Sequence, residues 1–364
     1  MQSRTLETSS PEDRRRSLLL RFPEVEKKLP HLAICRLPTP VERARELERS
    51  AATGPLWIKR DDASAPLYGG NKARKLEWLL GRARASGRAR VLTFGALGTN
   101  HGFATALYAA RAGLRCDLVL VHQPVDDKVR LRLRQFKAVG AEIHYGGGPA
   151  GAALRALGLL ARHPGTSVVA AGGSNPAGVL GFVDAGLELA EQVQSGALPE
   201  PECAYVALGT GGSVVGLAIG LAIAGLATRV VGVRVTDRGL LEPSPRRLAR
   251  LARRTIALLA RSGAALPGDR LPLRIEIEAG FRGDGYGHST SAGEQAVRRA
   301  ADQAGLRLET TYTGKTLAAL LERESGRGAP ILFWNTYSGV DPDLELPDWR
   351  TLPRAFRRFF GEAT

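Results

Sequence analysis

The chain has 364 residues, of which 44% are hydrophobic and 24% charged, which is the composition of an ordinary globular protein large enough for two domains. No apolar run approaches the ~18 residues that span a bilayer, and the N-terminal region lacks the apolar stretch of a signal peptide. We therefore expect a cytoplasmic protein that does not enter a membrane. Cys35, Cys116 and Cys203 form no CxxC pattern and the histidines form no HxxxH pair, so we expect neither disulfides nor a metal site.

A net charge of +15 raises the question of nucleic-acid binding. The basic residues are 43 Arg and only 8 Lys, they are spread along the whole chain, and aromatic residues make up only 6%. The densest Arg clusters have the spacing of solvated helix faces, and they lie at 14–16, 130–134 and 246–254. We predict no nucleic-acid partner, because the sequence lacks basic residues interleaved with stacking aromatics.

Residues 1–30 are poorly patterned and are predicted to form an N-terminal extension. An extended segment at 31–40 is followed by a short charged helix at 41–50 and a strand at 56–59. Beyond these, short apolar strands alternate with amphipathic helices. The predicted strands are 91–94, 116–122, 141–144, 167–170, 204–208, 229–236, 271–276 and 330–333. The predicted helices are 73–85, 99–111, 127–139, 150–161, 178–195, 212–224, 245–261, 291–304 and 315–323.

This alternation is typical of βαβ units on parallel sheets covered on both faces. We predict an α/β fold of two domains, each an open, mostly parallel twisted sheet flanked by helices. On pattern alone, residues 1–76 and 182–364 would form a large discontinuous domain, and residues 77–181 a small one. Sheets of this kind bind ligands at turns beyond their strand ends, and the sequence has four Gly-rich turns.

The first Gly-rich turn, at 68–75, contains two of the eight lysines of the chain, Lys72 and Lys75, which follow a glycine pair and an asparagine. A glycine pair lets the backbone approach a ligand closely. A lysine, unlike an arginine, can lose its proton when it is desolvated and then act as an amine nucleophile. Lys72 is therefore the leading candidate for a lysine that forms a Schiff base.

The other three turns carry small hydroxyl and amide residues. In the turn at 95–102, Thr99 would cap the next helix, whose amides would face an anion, although capping alone explains Thr99 and Asn100 equally well. Ordinary turn chemistry explains the turn at 171–178. The turn at 207–216 favours a single phosphate over a dinucleotide, because no acidic residue ends the next strand. A lysine amine, a phosphate site and an α/β scaffold together indicate pyridoxal phosphate.

Eight motifs occur in the order found in one known family. They are LPTP at 37–40, KRDD at 59–62, GGNKxRKLE at 69–77, GALGTNH at 95–101, SNPxG at 174–178, GTGGS at 209–213, GYG at 285–287 and YTGK at 312–315. Together they resemble the D-cysteine desulfhydrase / 1-aminocyclopropane-1-carboxylate deaminase family of pyridoxal-phosphate enzymes, which have fold type II and are similar to the tryptophan synthase β subunit. The resemblance covers about residues 31–335 and implies a homodimer that acts on a small amino acid.

The resemblance also implies which residues hold the cofactor. Lys72 would form the Schiff base, Lys75 would contact the cofactor phosphate, and Asn100 would bind the phenolic oxygen. Thr313 would face the pyridine nitrogen, and the large domain would carry the cofactor. The residues that would cradle the phosphate are Gly209, Thr210, Gly211, Gly212 and Ser213.

The substrate side of the site is implied in the same way. The segment Thr99, Asn100 and His101 would hold the substrate carboxylate. Tyr286 and Tyr312 would be catalytic, either near the substrate amine and carboxylate or in proton transfer. Without the family, a half-buried tyrosine in a turn explains both of them.

Several residues depart from the family pattern at the substrate side. Thr99 replaces the usual Ser, and His101 replaces Gln, which puts a titratable ring beside the carboxylate site. Thr313 stands where the deaminases carry Glu, and a neutral hydroxyl there resembles the desulfhydrase branch, which eliminates a good leaving group. Residues 333–339 (FWNTYSG) replace a His-Thr-Gly-Gly type of loop, so the pocket wall is altered.

The expected enzyme is therefore a lyase that carries out α,β-elimination of the D-cysteine desulfhydrase type, giving a 2-oxo acid, ammonia and sulfide. The alternatives on the same scaffold are deamination of 1-aminocyclopropane-1-carboxylate, β-replacement, racemisation or a biosynthetic reaction. An alternative from a different class is a non-catalytic phosphate- or nucleic-acid-binding protein. The presence of both Lys72 and Lys75 argues against that class.

Overall fold

The computed structural model describes residues 16–236, 242–267 and 271–361. The strands of these residues are β1 Val41–Arg43, β2 Leu56–Lys59, β3 Arg90–Ala96, β4 Arg115–Val121, β5 Glu142–Gly147, β6 Ser167–Val169, β7 Cys203–Leu208, β8 Arg229–Arg234, β9 Ile275–Glu278 and β10 Ile331–Trp334. The helices are α1 Ser17–Arg21, α2 Pro23–Lys28, α3 Arg45–Ala51, α4 Asn71–Ala85, α5 Asn100–Arg111, α6 Asp127–Ala138, α7 Pro149–Arg162, α8 Pro176–Gln194, α9 Gly212–Ala224, α10 Pro245–Arg261, α11 Ser291–Ala304, α12 Thr313–Arg323 and α13 Arg354–Arg357.

The strands form two sheets. The first has the order β1-β2-β10-β7-β8-β9, and the second has the order β5-β4-β3-β6. Only the β1–β2 pair is antiparallel among the described strands. Successive residues of β10 belong to core clusters on opposite faces of the first sheet, with Leu332 on one face and Phe333 on the other. The prediction of an α/β fold with mostly parallel sheets between helices is confirmed.

The single helix predicted over residues 41–50 is wrong in its first part. Val41–Arg43 forms β1, which pairs with β2 so that Val41 lies opposite Lys59, and the helix α3 begins only at Arg45. The mainly polar side chains of this edge strand are largely exposed, so its sequence has no apolar alternation that would reveal a strand.

The poorly patterned residues 1–30 contain two helices that the sequence analysis did not predict. Leu18 in α1 and Val25 in α2 are completely buried, and Leu18 N donates to Asp184 Oδ1 at 2.8 Å. Helices of this length are too short to show a clear period. The domain division at residues 76 and 182 stays a prediction, and both positions lie inside helices, α4 and α8.

Two arginines from the clusters predicted to be solvated are buried. Arg16 is 1% exposed and forms an ion pair with Glu77, and Arg132 is 9% exposed. The prediction is therefore wrong for these two residues. Arg14 and Arg15 lie outside the described residues. In the third cluster, Arg246 and Arg250 are exposed as predicted.

Candidate active site

A cavity of about 710 Å³ lies where strands of both sheets end. It is lined by residues at or just beyond the carboxyl ends of strands of both sheets, which is where open α/β sheets bind ligands. Every residue that the sequence analysis assigned to the site lines this one cavity. These residues are Lys72, Lys75, Thr99, Asn100, His101, Gly209, Thr210, Gly211, Gly212, Ser213, Tyr286, Tyr312 and Thr313.

The glycine pair before α4 lets the loop after β10 pack against the start of this helix. Gly70 has a φ of 86°, a conformation that favours glycine, and a Cβ on it would lie 2.5 Å from Thr336 O. Asn71 N donates to the same oxygen at 3.1 Å. The loop thereby fixes the first turn of α4, which carries Lys72.

Lys72 and Lys75 are amines in a desolvated environment. Lys72 Nζ donates to Asn71 Oδ1 at 2.9 Å, and burial lowers the pKa of Lys72 to about 8 despite the nearby charge of Glu309. Burial, together with the charge of Lys72, holds the pKa of Lys75 well below its usual range. Among the described residues, no carboxylate lies within ion-pair distance of either amine. Both lysines are therefore available to an anionic or electrophilic ligand.

The loop before α9 forms a small polar cradle beside Lys75. Gly212 N donates to Ser174 Oγ at 3.1 Å, and this hydroxyl lies 2.6 Å from Thr210 Oγ1. A Cβ on Gly212 would lie 2.5 Å from Ser174 Oγ and 3.0 Å from Lys75 Nζ. The turn at 171–178, which the sequence analysis explained by turn chemistry, thus contributes Ser174 to the same place as the Gly-rich loop.

The start of α5 forms a third wall of the cavity. Thr99 Oγ1 accepts a hydrogen bond from Gly102 N at 3.2 Å, which confirms the prediction that Thr99 caps this helix. Asn100 Oδ1 accepts hydrogen bonds from Tyr68 OH at 3.2 Å and from Arg132 Nη2 at 3.0 Å. The side chain of Asn100 is therefore held in one orientation.

His101 is 4% exposed and its ring is neutral. Thr93 Oγ1 donates its only proton to Val169 O at 2.9 Å, so His101 Nε2, which lies 3.0 Å from Thr93 Oγ1, must be the donor of their hydrogen bond. Burial, reinforced by the charges of Lys72 and Lys75, holds the pKa of His101 well below its usual value. The ring therefore adds no positive charge to the cavity at neutral pH.

Two tyrosines that contact each other line the cavity, Tyr286 and Tyr312. The hydroxyl of Tyr312 donates to that of Tyr286 at 3.1 Å, and the rings meet edge to face with centroids 5.8 Å apart. Glu309, which the sequence analysis missed, also lines the cavity. Its carboxylate accepts hydrogen bonds from Tyr312 N at 2.7 Å and from Thr313 N at 2.9 Å, so it fixes the start of α12.

The pattern of one enzyme family, described as pyridoxal-phosphate dependent enzyme, matches residues 34–336 of the chain. The chain belongs to this family. It is 34% identical to the nocardicin C-9' epimerase of Nocardia uniformis subsp. tsuyamanensis, over 77% of this chain and 85% of that protein. It is 31% identical to the D-cysteine desulfhydrase of Salmonella newport (strain SL254), over 85% of this chain and 94% of that protein.

A crystal structure described as an ACC deaminase homologue has the same fold. It superposes with a TM-score of 0.74 at 28% identity and covers 88% of this chain and 94% of its own. The family resemblance inferred from the motifs is therefore confirmed. The protein is a pyridoxal-phosphate enzyme of fold type II in the group of D-cysteine desulfhydrase and 1-aminocyclopropane-1-carboxylate deaminase.

The cavity of the enzyme fits pyridoxal phosphate. Only glycine fits at position 212 of the cradle, because a Cβ there would meet Ser174 Oγ and Lys75 Nζ. The cradle thus leaves the backbone open next to an amine, and it adjoins the N-terminus of α9, which favours an anion. Lys72 supplies a second amine for the aldehyde of the cofactor. We propose that Lys75 and residues 209–213 hold the phosphate and that Lys72 forms the covalent bond.

Replacing Gly212 by Ala tests the cradle. Because the added methyl group would meet Ser174 Oγ and Lys75 Nζ, we expect the dissociation constant of pyridoxal phosphate to rise about tenfold or more. Equilibrium dialysis measures this constant. The matched control is Gly158→Ala on α7, where an added Cβ has no neighbour within 4 Å. Equal cofactor affinity in both variants would contradict the assignment of the cradle.

The lowered pKa of Lys72 gives a pH prediction. An amine reacts with an aldehyde in its neutral form, and burial lowers the pKa of Lys72 to about 8. The rate at which pyridoxal phosphate binds covalently to the cofactor-free enzyme should therefore rise with pH and level off above about pH 8. Stopped-flow absorbance measures this rate. A rate that keeps rising towards the ordinary lysine pKa of about 10.4 would contradict it.

A cluster outside the cavity has the composition of a metal site but is an ion-pair network. One ligand atom each from Asp117, Glu142 and His144 lie within 4.8 Å of one another, a grouping that the sequence analysis did not detect. Arg90 Nη1 lies 2.8 Å from Asp117 Oδ2 and 3.0 Å from Glu142 Oε1. The groups that would ligate a cation are already bound to one another, because Arg90 pairs with both carboxylates and His144 Nε2 lies 2.8 Å from Asp117 Oδ1.

Proposed function

We propose that the enzyme eliminates a β-substituent from a small amino acid, as D-cysteine desulfhydrases do. The products would be a 2-oxo acid and ammonia, with sulfide when the substrate is D-cysteine. The observation that supports the proposal most is the environment of Lys72. Burial lowers its pKa to about 8, and it lines the same cavity as the proposed phosphate cradle. Such an amine can bind the cofactor and exchange a proton near neutral pH.

Proton transfer is assigned mainly to Lys72. When bound, pyridoxal phosphate withdraws electrons from the α-carbon of the amino acid joined to it. Lys72 would hold the cofactor, and its amine would then be the group that takes the proton from the α-carbon. Burial raises the pKa of both Tyr286 and Tyr312, so their hydroxyls stay protonated and act as donors, which favours Lys72 over Tyr286 as the base.

The substrate carboxylate is assigned to the start of α5. The first amides of this helix and its dipole favour an anion there. The hydroxyl of Thr99 accepts a hydrogen bond from Gly102 N, so its proton is free to be donated to the carboxylate. His101 is neutral and contributes to the shape of this wall rather than to its charge. Asn100 is assigned to the phenolic oxygen of the cofactor.

Thr313 supports elimination over ring opening of 1-aminocyclopropane-1-carboxylate. Its Oγ1 accepts a hydrogen bond from Glu309 N at 2.9 Å. The Glu309 carboxylate accepts from three backbone amides and is committed to them. A neutral hydroxyl at this place would leave the pyridine nitrogen unprotonated, and the cofactor would then be a weaker electron sink. Such a cofactor suits expulsion of a good leaving group.

Racemisation or epimerisation is the second candidate. The relative with 34% identity is named as an epimerase. The cavity of about 710 Å³ also has a wall of apolar side chains, which would suit a substrate larger and less polar than cysteine. This wall consists of Phe94, Val121, Pro149, Ala152 and Val168. Membership of an enzyme family leaves no support for the non-catalytic phosphate- or nucleic-acid-binding alternative.

A product assay in deuterated water distinguishes these candidates. The holoenzyme is incubated with D- and L-cysteine, D- and L-serine and 1-aminocyclopropane-1-carboxylate, and 2-oxo acid, sulfide and α-deuterium are measured. The proposal predicts 2-oxo acid and sulfide from a cysteine enantiomer. Deuterium in the recovered amino acid without any 2-oxo acid would favour racemisation and contradict the proposal.

The proposal also includes a homodimer, as the family resemblance implies, and a cytoplasmic location, which was predicted from the sequence pattern. No helix among the described residues is long and apolar enough to cross a bilayer. Light scattering should give about twice the chain mass of 38.8 kDa. A mass equal to that of one chain at all concentrations would contradict the dimer.

A further inference from the structure

Arg132 is a buried cation that has no acidic partner in the part of the chain that the structure describes. It lies on α6 and is 9% exposed, and no carboxylate of the described residues is within ion-pair distance of it. Its guanidinium carbon lies 4.4 Å from the ring centroid of Phe103 and 5.6 Å from that of Tyr68. Contacts with aromatic faces offset only part of the cost of removing a cation from water. A buried charge of this kind needs a further role.

The hydrogen bonds of Arg132 lead to the cavity through Asn100. Arg132 Nη2 donates to Asn100 Oδ1 at 3.0 Å and lies 3.4 Å from Tyr68 OH, and that hydroxyl also donates to Asn100 Oδ1. Asn100 lines the cavity, whereas Arg132 does not. Tyr68 is fixed in turn, because Tyr108 OH donates to Tyr68 O at 2.8 Å.

The orientation of the Asn100 amide follows from these donors. A guanidinium has no acceptor, so the atom of Asn100 that meets it must be the oxygen. The amide nitrogen Nδ2 then points away from Arg132, and no described residue accepts a hydrogen bond from it. A cation behind the amide oxygen also polarises the amide and makes its N–H groups stronger donors. Asn100 therefore offers a strengthened donor to an anionic oxygen in the cavity.

We propose that Arg132 is a positioning residue that fixes and polarises the Asn100 amide, so that Nδ2 donates to the phenolic oxygen of the cofactor. The inference rests on the proposed function, which assigns this oxygen to Asn100. Arg132 stabilises the negative charge of that oxygen without touching the cofactor. Its neighbours Arg130 and Arg134 bind backbone carbonyls near the C-terminus, Phe359 O and Pro347 O, and have no such role.

The test is the pH titration of the absorbance of the bound cofactor in the holoenzyme. Arg132→Met keeps an apolar stem against Phe103 but removes the charge and the donor. Without this donor the negative charge on the phenolic oxygen is less stable, so the bound cofactor loses its proton less readily. The midpoint of the absorbance change should therefore move up by about one pH unit. The matched control is Arg134→Met on the same helix, which should titrate like the wild type.

A double variant shows whether Arg132 acts through Asn100 or through its charge alone. In an Asn100→Ala background the shift caused by Arg132→Met should disappear, since the residue that transmits it is gone. A shift that persists there would overturn the positioning role. An unshifted Arg132→Met enzyme alongside a shifted Asn100→Ala enzyme would overturn the inference and leave the proposed function standing. An unshifted Asn100→Ala enzyme would contradict the proposed cofactor contact itself.

A second variant covers the case in which Arg132→Met does not fold. Tyr68→Phe removes the other donor to Asn100 Oδ1 and keeps the ring that packs edge to face on Phe103 at 5.0 Å. It should move the midpoint in the same direction by a smaller amount. A midpoint equal to that of the wild type would contradict the proposal that donors behind Asn100 set the state of the cofactor.

Discussion

Replacing Lys72 by Ala is expected to reduce turnover by about 10⁴-fold or more, because we assign both the covalent bond to the cofactor and the role of base to this one residue. When one residue is needed for several steps of a reaction, its loss can cost about as much activity as the loss of the whole catalytic group. The variant should still bind pyridoxal phosphate through the phosphate cradle, which does not include Lys72. The rate of 2-oxo acid formation from the substrate found in the product assay measures turnover. The absorbance of the dialysed protein measures cofactor binding separately.

Lys75→Ala is the matched control, since Lys75 lies one turn further along α4. Loss of Lys75 should weaken cofactor binding, and activity should recover when pyridoxal phosphate is added in excess. Lys72→Ala should not recover in this way. An active Lys72→Ala enzyme would contradict the role assigned to Lys72. A Lys75→Ala enzyme that stays inactive in excess cofactor would contradict the role assigned to Lys75.

Arg74→Met is expected to lower the free energy of unfolding by about 3–5 kcal/mol, the usual effect of removing one partner from a buried ion pair. Arg74 is completely buried and joins two carboxylates: its Nη2 lies 2.8 Å from Asp61 Oδ1, and its Nη1 lies 2.9 Å from Glu188 Oε2. Lys59 Nζ also contacts Glu188 at 2.5 Å. Without Arg74, Asp61 would stay buried and unpaired. Urea unfolding of the cofactor-free protein measures the change.

The control for Arg74 is Arg60→Met. Arg60 pairs with Asp62 and Glu42, but its own side chain is 23% exposed and water can reach the pair, so we expect a smaller loss than for Arg74→Met. A loss for Arg74→Met no larger than that for Arg60→Met would contradict the structural role of the network.

The Arg74 network also predicts a pH dependence of stability. Burial alone would raise the pKa of Glu188, but Arg74 and Lys59 hold it far below its usual range. A depressed carboxylate pKa contributes stability above the unfolded value of about 4.3, and this contribution is lost as the pH falls. The difference between Arg74→Met and the wild type should therefore shrink below about pH 4.

Those parts of the candidate site that depend on short stretches of sequence could be predicted. A glycine pair shortly before Lys72 indicates close approach to a ligand, and a Gly-rich loop before α9 indicates backbone amides that can bind an anion. These pieces are 140 positions apart in the chain, as the numbers of Lys72 and Gly212 show. The chemistry of pyridoxal phosphate suggested that they belong together, the family resemblance supported it, and the structure places them in one cavity. The alternating strands and helices likewise follow from short-range apolar patterns.

The parts that the sequence did not reveal depend on contacts between distant segments. Arg132 belongs to a basic cluster with the spacing of a solvated face, and its burial arises from the packing of α6 against Tyr68 and Phe103. Glu309 precedes α12 and is recognisable only from the amides that it caps. The KRDD motif was found by resemblance, and the structure gives its physical reason in the buried partners Asp61 and Arg74.

Borohydride reduction of the holoenzyme, followed by peptide mapping with mass spectrometry, tests the central claim most directly. Reduction makes the bond between the cofactor and its lysine permanent, so the modified residue can be identified among the eight lysines of the chain. We expect the modification on Lys72 alone, in the wild type and in Lys75→Ala. A modification on Lys75 or on another lysine, or none at all, would contradict it.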